Sequence, residues 1–293
     1  MKKKILTFVI AICLILPCMF AISACGNKNK METWNGKTSE VSAAKDNVIT
    51  IETAEELAGL AKSVNAGNTY EGVTVKLTKD MDLRNKEWTP IGYGACNYLG
   101  AIESGSYFKG IFDGQNHTIK NLKITEFTKG GLTDSTKSTG VGLFGQIYNA
   151  EIKDLKIENA TVKSNHYVGA VVGFSVDSDI KNCHVIKVDV DCVFANTDEE
   201  NGDKAGAVVG HFAQGIAETS SATISNCSAK DSVVKADRDA GQVIGSLSNN
   251  ATNTNNTAEN VEVKWNESSV GLVDESYTKA NTNITQDIVG RVS

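Results

Sequence analysis

Two pairs of carboxylates have the spacing for acid–base chemistry. Asp177 with Asp179, and Asp189 with Asp191, stand two residues apart, and on a β-strand residues i and i+2 share a face. Paired carboxyl groups on an outer face are what polysaccharide hydrolases use, while lyases pair a base with a lysine or arginine. The same spacing arises wherever a strand turns a solvated face outward. With 22% of the chain charged, the pairs are read first as solvated. The acidic stretch from Asp189 to Asp203, including Asp198, Glu199 and Glu200, could gather oxygen ligands but lacks the register of a calcium loop. It reads as a corner loop. His117, His166, His184 and His211 are isolated and read as solvated turn or strand residues. No H-E-x-x-H occurs, so the zinc-peptidase pattern is absent. Gly140-Val141-Gly142-Leu143-Phe144-Gly145 spells the dinucleotide fingerprint, but strand-type residues follow where that motif opens a helix. No catalytic residue, metal ligand set or cofactor is assigned.

The elements that would position such residues are repeats. Ile119-Lys-Asn-Leu-Lys-Ile124 returns as Ile152 to Ile157, Ile180 to Val185 and Ile224 to Ala229, with a degraded copy at Ala258 to Val263. Upstream of each copy stands a glycine-bracketed apolar run. The bracketing glycines are Gly110 and Gly114, Gly142 and Gly145, Gly169 and Gly173, Gly206 and Gly210, Gly241 and Gly245. Each hexapeptide alternates apolar and polar residues with one interruption, at Asn121, Asp154, Asn182, Asn226 and Asn260. Asn and Asp tolerate the left-handed conformation that bends a strand at one residue, so these five form an expected turn ladder. Strands that turn corners at equivalent places, in units too small to bury their own faces, stack on their equivalents one turn later. The expectation is an all-β chain: a parallel β-helix. In this register Leu122, Leu155, Cys183, Cys227 and Val261 form one inward column, with the cysteines as small hydrophobes.

A solenoid end exposes sheet edges and needs a cover. Val48-Ile49-Thr50-Ile51 reads as a strand and Thr53-Ala54-Glu55-Glu56 as a capping box. Leu57, Leu60, Ala61 and Val64 then give an apolar helical stripe ending at Gly67, an N-terminal capping helix.

The chain opens with Met1-Lys2-Lys3-Lys4, an apolar stretch from Ile5 to Phe20, and Ala21-Ile22-Ser23-Ala24 before Cys25. This is the pattern of a signal peptide. Ile22-Ser23-Ala24-Cys25 resembles the bacterial lipobox, which implies acylation of Cys25 and a membrane partner reached through that lipid, outside the cell. The expected division is a signal peptide over 1–24, a flexible tether over 25–46, and a repeat domain over 47–293, with its cap at 47–92 and coils from about 93. Without the three basic residues of the signal peptide, 26 basic residues face 35 acidic ones, a net charge of −9. That excludes nucleic acid as an expected partner. Cys96, Cys183, Cys192 and Cys227 fit neither a C-x-x-C metal site nor a small disulfide framework.

Gly142-Leu143-Phe144-Gly145, the Thr53 helix, Trp88-Thr89-Pro90-Ile91-Gly92 and the run Phe108 to Ile119 resemble bacterial surface proteins with GLUG motifs, over roughly residues 48–245. The resemblance implies a right-handed β-helix at the cell surface and no catalytic residues. The function expected is non-catalytic binding or adhesion to host matrix, glycan or an envelope partner. The alternative is a β-helix polysaccharide lyase or hydrolase. Few aromatic platforms are in view, since Trp34, Trp88 and Trp265 lie far apart in sequence. A two-lobed solute-binding lipoprotein would need alternating strands and helices, which the sequence lacks.

Overall fold

The computed structural model describes residues 31–95, 102, 105–125, 139–164, 166–192, 204–215, 221–236, 238–248, 250–265, 283–284 and 287–292. Cys25, the signal peptide, Cys96 and the acidic residues 198–200 lie outside them. The fold is all-β and solenoid-like. Strands pair with their equivalents one turn later, in parallel, forming three sheets. One turn runs Gly140–Val141, Phe144–Tyr148 and Glu151–Ser164; the next runs Tyr167–Val168, Val172–Val176 and Asp179–Cys192. The third and fourth turns pair onto these in the same order.

Side-chain alternation inside one long strand shows how corners are made. In Glu151–Ser164 the inward residues are Ile152, Leu155, Ile157, Ala160, Val162 and Ser164, all buried. Their spacing is two except across Asp154 and Asn159, where it is three. Those two residues have φ of 52° and 58°. Each left-handed residue adds one step and turns the chain without sending the apolar set outward, so one strand bends twice and keeps a single core face.

This corrects the expected turn ladder. From Glu151 onward each turn has two such corners, five residues apart, and the hexapeptide pattern fits either. Register pairs Lys156 with Thr118 and Glu158 with Lys120, so Asn121 stands beside Asn159, not Asp154. Likewise Ser232 pairs with Val261, which sets Asn260 beside Asp231, not Asn226. Two ladders result. The first holds Asp154, Asn182, Asn226 and Asn255. The second holds Asn121, Asn159, Lys187, Asp231 and Asn260. Side-chain amides link rungs: Asn182 Nδ2 donates to Asp154 Oδ1 at 2.8 Å, Asn260 Nδ2 to Asp231 Oδ1 at 3.0 Å, and Asn159 donates to Asn121. The inward column splits in the same way. Leu155, Cys183 and Cys227 stack in one column, while Leu122, Ala160, Val188, Ser232 and Val261 stack in another.

Near the chain start, Thr53 caps the helix Ala54–Asn65 and Glu56 completes the capping box. Leu57, Leu60, Ala61 and Val64 are buried in the same core as Ile49 and Ile51. Residues 31–46, placed in a flexible tether by the sequence reading, instead pack on the body: Glu32–Thr33 pairs with Met81–Asp82, and Ser39 N donates to Glu55 O at 2.9 Å. The arm crosses the helix at Gly59, where a Cβ would sit 1.8 Å from Ser39 O. A residue of poor helix propensity therefore sits in mid-helix because only its missing side chain lets the arm approach.

Candidate functional site

A groove of about 590 Å³ runs over the corner between the Phe144–Tyr148 sheet and the long strands; Glu71, Lys109, Asn149, Glu151, Asp177 and Asp179 are among its lining residues. Asn149 and Asp177, both at φ 47°, turn this third corner on successive rungs. Glu151 and Asp179 follow as register partners at the start of the long strands. Asp177 therefore lies on the bend and Asp179 on the strand, so the first pair does not share a strand face as the spacing suggested. Asp177 Oδ1 accepts from Gly215 N at 2.6 Å. Lys181 Nζ lies 2.8 Å from Asp179, Lys153 Nζ 2.9 Å from Glu151, and Lys109 Nζ 2.7 Å from Glu71. Hydrogen bonding to Glu71 and Glu151 raises the Lys109 and Lys153 pKa values, keeping both ammonium groups charged.

Asp189 and Asp191 do share the outer face of Asp179–Cys192. Lys235 lies 3.5 Å from Asp189, and Lys163 3.0 Å from Asp191. All four candidate carboxylates thus have an ammonium or amide partner. Among the described residues no group of three or more His, Cys, Asp or Glu could hold a metal ion.

The repeat glycines stack in two columns. Gly142, Gly169, Gly206 and Gly241 form one; Gly145, Gly173, Gly210, Gly245 and Gly290 form the other. None of them has a positive φ. They make room instead: a Cβ on Gly173 would lie 1.9 Å from Val141 N, and one on Gly210 would lie 2.4 Å from Val168 N.

These columns create a site that the sequence reading missed. Outward residues beside the glycines converge in the crease between the two smaller sheets: Tyr167, Phe174, Lys204, His211, Asp239 and Ser246, all buried. Tyr167 and Phe174 stack at 5.3 Å, His211 lies 5.1 Å from Tyr167, and Lys204 Nζ is 5.8 Å from the Tyr167 ring. Two histidine readings are therefore corrected, since His211 and His166 are buried rather than solvated. Burial, then the Lys204 charge, holds the His211 imidazole well below its usual 6.5. His117 meets Asp80 at 3.0 Å and His184 meets Ser228 at 2.8 Å. The signal lay in position relative to the glycines, one residue after each second glycine, where a side chain must point outward from a backbone packed too closely to leave it in solvent.

Cys183, Cys192 and Cys227 are buried thiols. The neighbouring Cys227 thiol, then burial, pushes the Cys183 thiol well above its ordinary range, while the hydrogen bond to Cys183 lowers the Cys227 thiol. Trp34 and Trp88, far apart in sequence, meet edge-on at 5.4 Å. They floor a pocket of about 490 Å³ against the helix, with Lys62, Asn65, Glu87 and Tyr93 among its lining residues.

No family model matches the chain. Halomucin of Haloquadratum walsbyi (strain DSM 16790 / HBSQ001) is 30% identical to it over 132 residues, which cover 43% of this chain and 1% of halomucin. The chain thus spans a very small part of the relative's length. Among solved structures, a candidate immunoglobulin A1 protease from Bacteroides ovatus is similar with a TM-score of 0.49 at 16% identity; the match covers 85% of this chain and 63% of that one.

Proposed function

We propose that this chain is an exported lipoprotein, anchored by Cys25 to the outer face of a bacterial membrane, and that it displays a non-catalytic binding module. In this reading the three sheets close into a right-handed parallel β-helix of the GLUG type. The helix Ala54–Asn65 covers its first coil. The N-terminal pattern ending in Ile22-Ser23-Ala24-Cys25 supports export and lipidation. The observation that carries the binding role is the wall of the 590 Å³ groove. Glu151 and Asp179 are engaged by lysines two residues along the same strand, and Asp177 by a backbone amide of the neighbouring rung, an arrangement that fixes hydrogen-bonding groups in place rather than leaving one acid protonated beside a free base.

The test is to present residues 31–293, one compact unit, to arrays of glycans and extracellular matrix proteins while assaying released reducing or unsaturated ends. Saturable binding without product is expected. Turnover that is lost in Asp177→Asn or Asp189→Asn makes the protein a carbohydrate-active enzyme instead. For the anchor, labelled palmitate is expected in the full chain and absent from Cys25→Ala; equal labelling of both defeats the lipoprotein reading.

A further inference from the structure

Two cavities adjoin along the last turns of the helix Ala54–Asn65, where the N-terminal arm crosses it. The first, of about 490 Å³, has Trp34, Trp88, Tyr93, Ala58, Ala61 and Glu87 among its lining residues. The second, of about 390 Å³, includes Ser39, Glu40, Ser63 and Tyr70. Thr38, Lys62 and Ala66 line both, and mark where they meet.

The first cavity is aromatic, and most of its polar side chains are already engaged. Trp34 and Trp88 are buried beneath it, and Tyr93 stands half-buried beside them. The Trp34 indole N–H donates to Lys37 O at 2.7 Å and that of Trp88 to Leu143 O at 3.3 Å. Asn65 uses both ends of its amide, donating to Pro90 O and accepting from Gly92 N. Glu87 accepts from the Thr125 backbone amide and hydroxyl, and the Lys123 ammonium lies 3.4 Å away. Lys62 differs. It is exposed in the last turn of the helix, and among the described residues its ammonium has neither a carboxylate nor another acceptor. In the second cavity Ser63 Oγ accepts from Asn68 Nδ2 and Tyr70 Oη, which leaves its own O–H to donate.

A cavity of this size lies within the range of small-ligand sites, about 300–1,000 Å³. Three aromatic side chains and two alanines suit an apolar ring, offset or edge-on. The hydrogen-bonding capacity still unspent is donor capacity, at Lys62 and Ser63, and it selects an acceptor carrying negative charge. A sugar would leave most of its hydroxyls unmatched, and a cationic head would meet Lys62. Glu40 lines the second cavity alone, so the negative group belongs at the junction.

We propose that the first cavity binds a small aromatic carboxylate, its ring against Trp34, Trp88 and Tyr93 and its carboxylate on Lys62. This site shares no lining residue with the groove, so it stands or falls apart from the binding-module reading. The experiment is calorimetry and tryptophan emission of residues 31–293, one compact unit, with 3-phenylpropanoate and 2-naphthoate. Saturable binding with a shift in emission is expected. The alcohol 3-phenylpropanol should bind about tenfold more weakly, the worth of a hydrogen bond to a charged group, and 3-phenylpropylamine and glucuronate should not bind. Lys62→Ala, an exposed change, is expected to bring the carboxylates down to the level of the alcohol and to leave the alcohol unaffected. Ala66→Phe, exposed and lining both cavities, should block all of them. No binding by either carboxylate overturns the proposal. So does equal affinity for the alcohol, the amine or glucuronate, or carboxylate binding undiminished in both variants.

Discussion

The corners of the long strands and the corners between the two smaller sheets solve one problem by opposite means. At Asp154, Asn159, Asn182 and Asn226 the backbone enters the left-handed region, with φ between 52° and 58°. Ample room surrounds the side chains, and neighbouring rungs use them: Asn182 bonds Asp154 and Asn159 bonds Asn121. At Gly142, Gly145, Gly169, Gly173, Gly206 and Gly210 the φ values are ordinary and there is no room at all, because one segment's backbone lies where a Cβ would stand. Asn is selected for conformation and glycine for volume. The two residue types are therefore not interchangeable between corners, although both look like turn signals in a sequence.

The largest effect expected is at Gly173. Alanine there puts Cβ against the Val141 amide nitrogen from the facing segment, where neither backbone can yield without disturbing the stack. Gly173→Ala should lose more than about 3 kcal/mol or fail to fold, measured by urea denaturation; a loss under about 1 kcal/mol would show that the volume argument is wrong. Asn182→Ala should lose about 1–2 kcal/mol, from left-handed strain and the broken bond to Asp154. Asn182→Gly should recover most of the strain component. Equal losses for alanine and glycine would mean that the ladder bond, not conformation, selects asparagine.

The crease between the glycine corners adds the stronger pH dependence. His211 is held neutral by burial and by Lys204, with Arg291 also near. Because its folded pKa is depressed below 6.5, the unfolded chain takes up the proton first. Its contribution is complete above about pH 6.5 and is lost as the pH falls from there toward the folded value. His184 shifts in the same direction. The thermal midpoint of the native chain should fall through this window, and His211→Phe should flatten the slope in part; an unchanged slope would remove His211 as its source. The smallest effect is at Lys187, at φ 56° between Asn159 and Asp231 in the second ladder. Lys187→Asn should gain about 0.5–1 kcal/mol, read as a raised denaturation midpoint, and a loss there would show that the lysine has a contact worth more than its strain.

Much of this architecture could be read before any coordinates. The hexapeptide copies indicated parallel stacking, the alternation indicated which residues face inward, and Thr53 with Glu56 indicated where the helix begins. Register was not legible. The turn Ile111 to Ile124 replaces its first corner with the longer Gly114–His117 loop, bonded to the Asp154 rung through Asn116 N and Asp154 O at 2.7 Å. Its one hexapeptide therefore belongs to the second corner. Nor was the groove legible. Asp177 and Asp179 were visible as a pair, but their neighbours Glu71, Lys109 and Glu151 come from other rungs, up to more than a hundred residues away in the chain.

From sequence alone, local grammar determined the strand type, the bending residues, the helix cap and the signal-peptide pattern, because each depends on the conformation of a few consecutive residues. Only the tertiary structure decided which corner each copy occupies, why the glycines are there and that His211 is buried. Those outcomes depend on what the next turn places against a residue, and turns of 28, 38 and 44 residues put that neighbour beyond the reach of any local pattern.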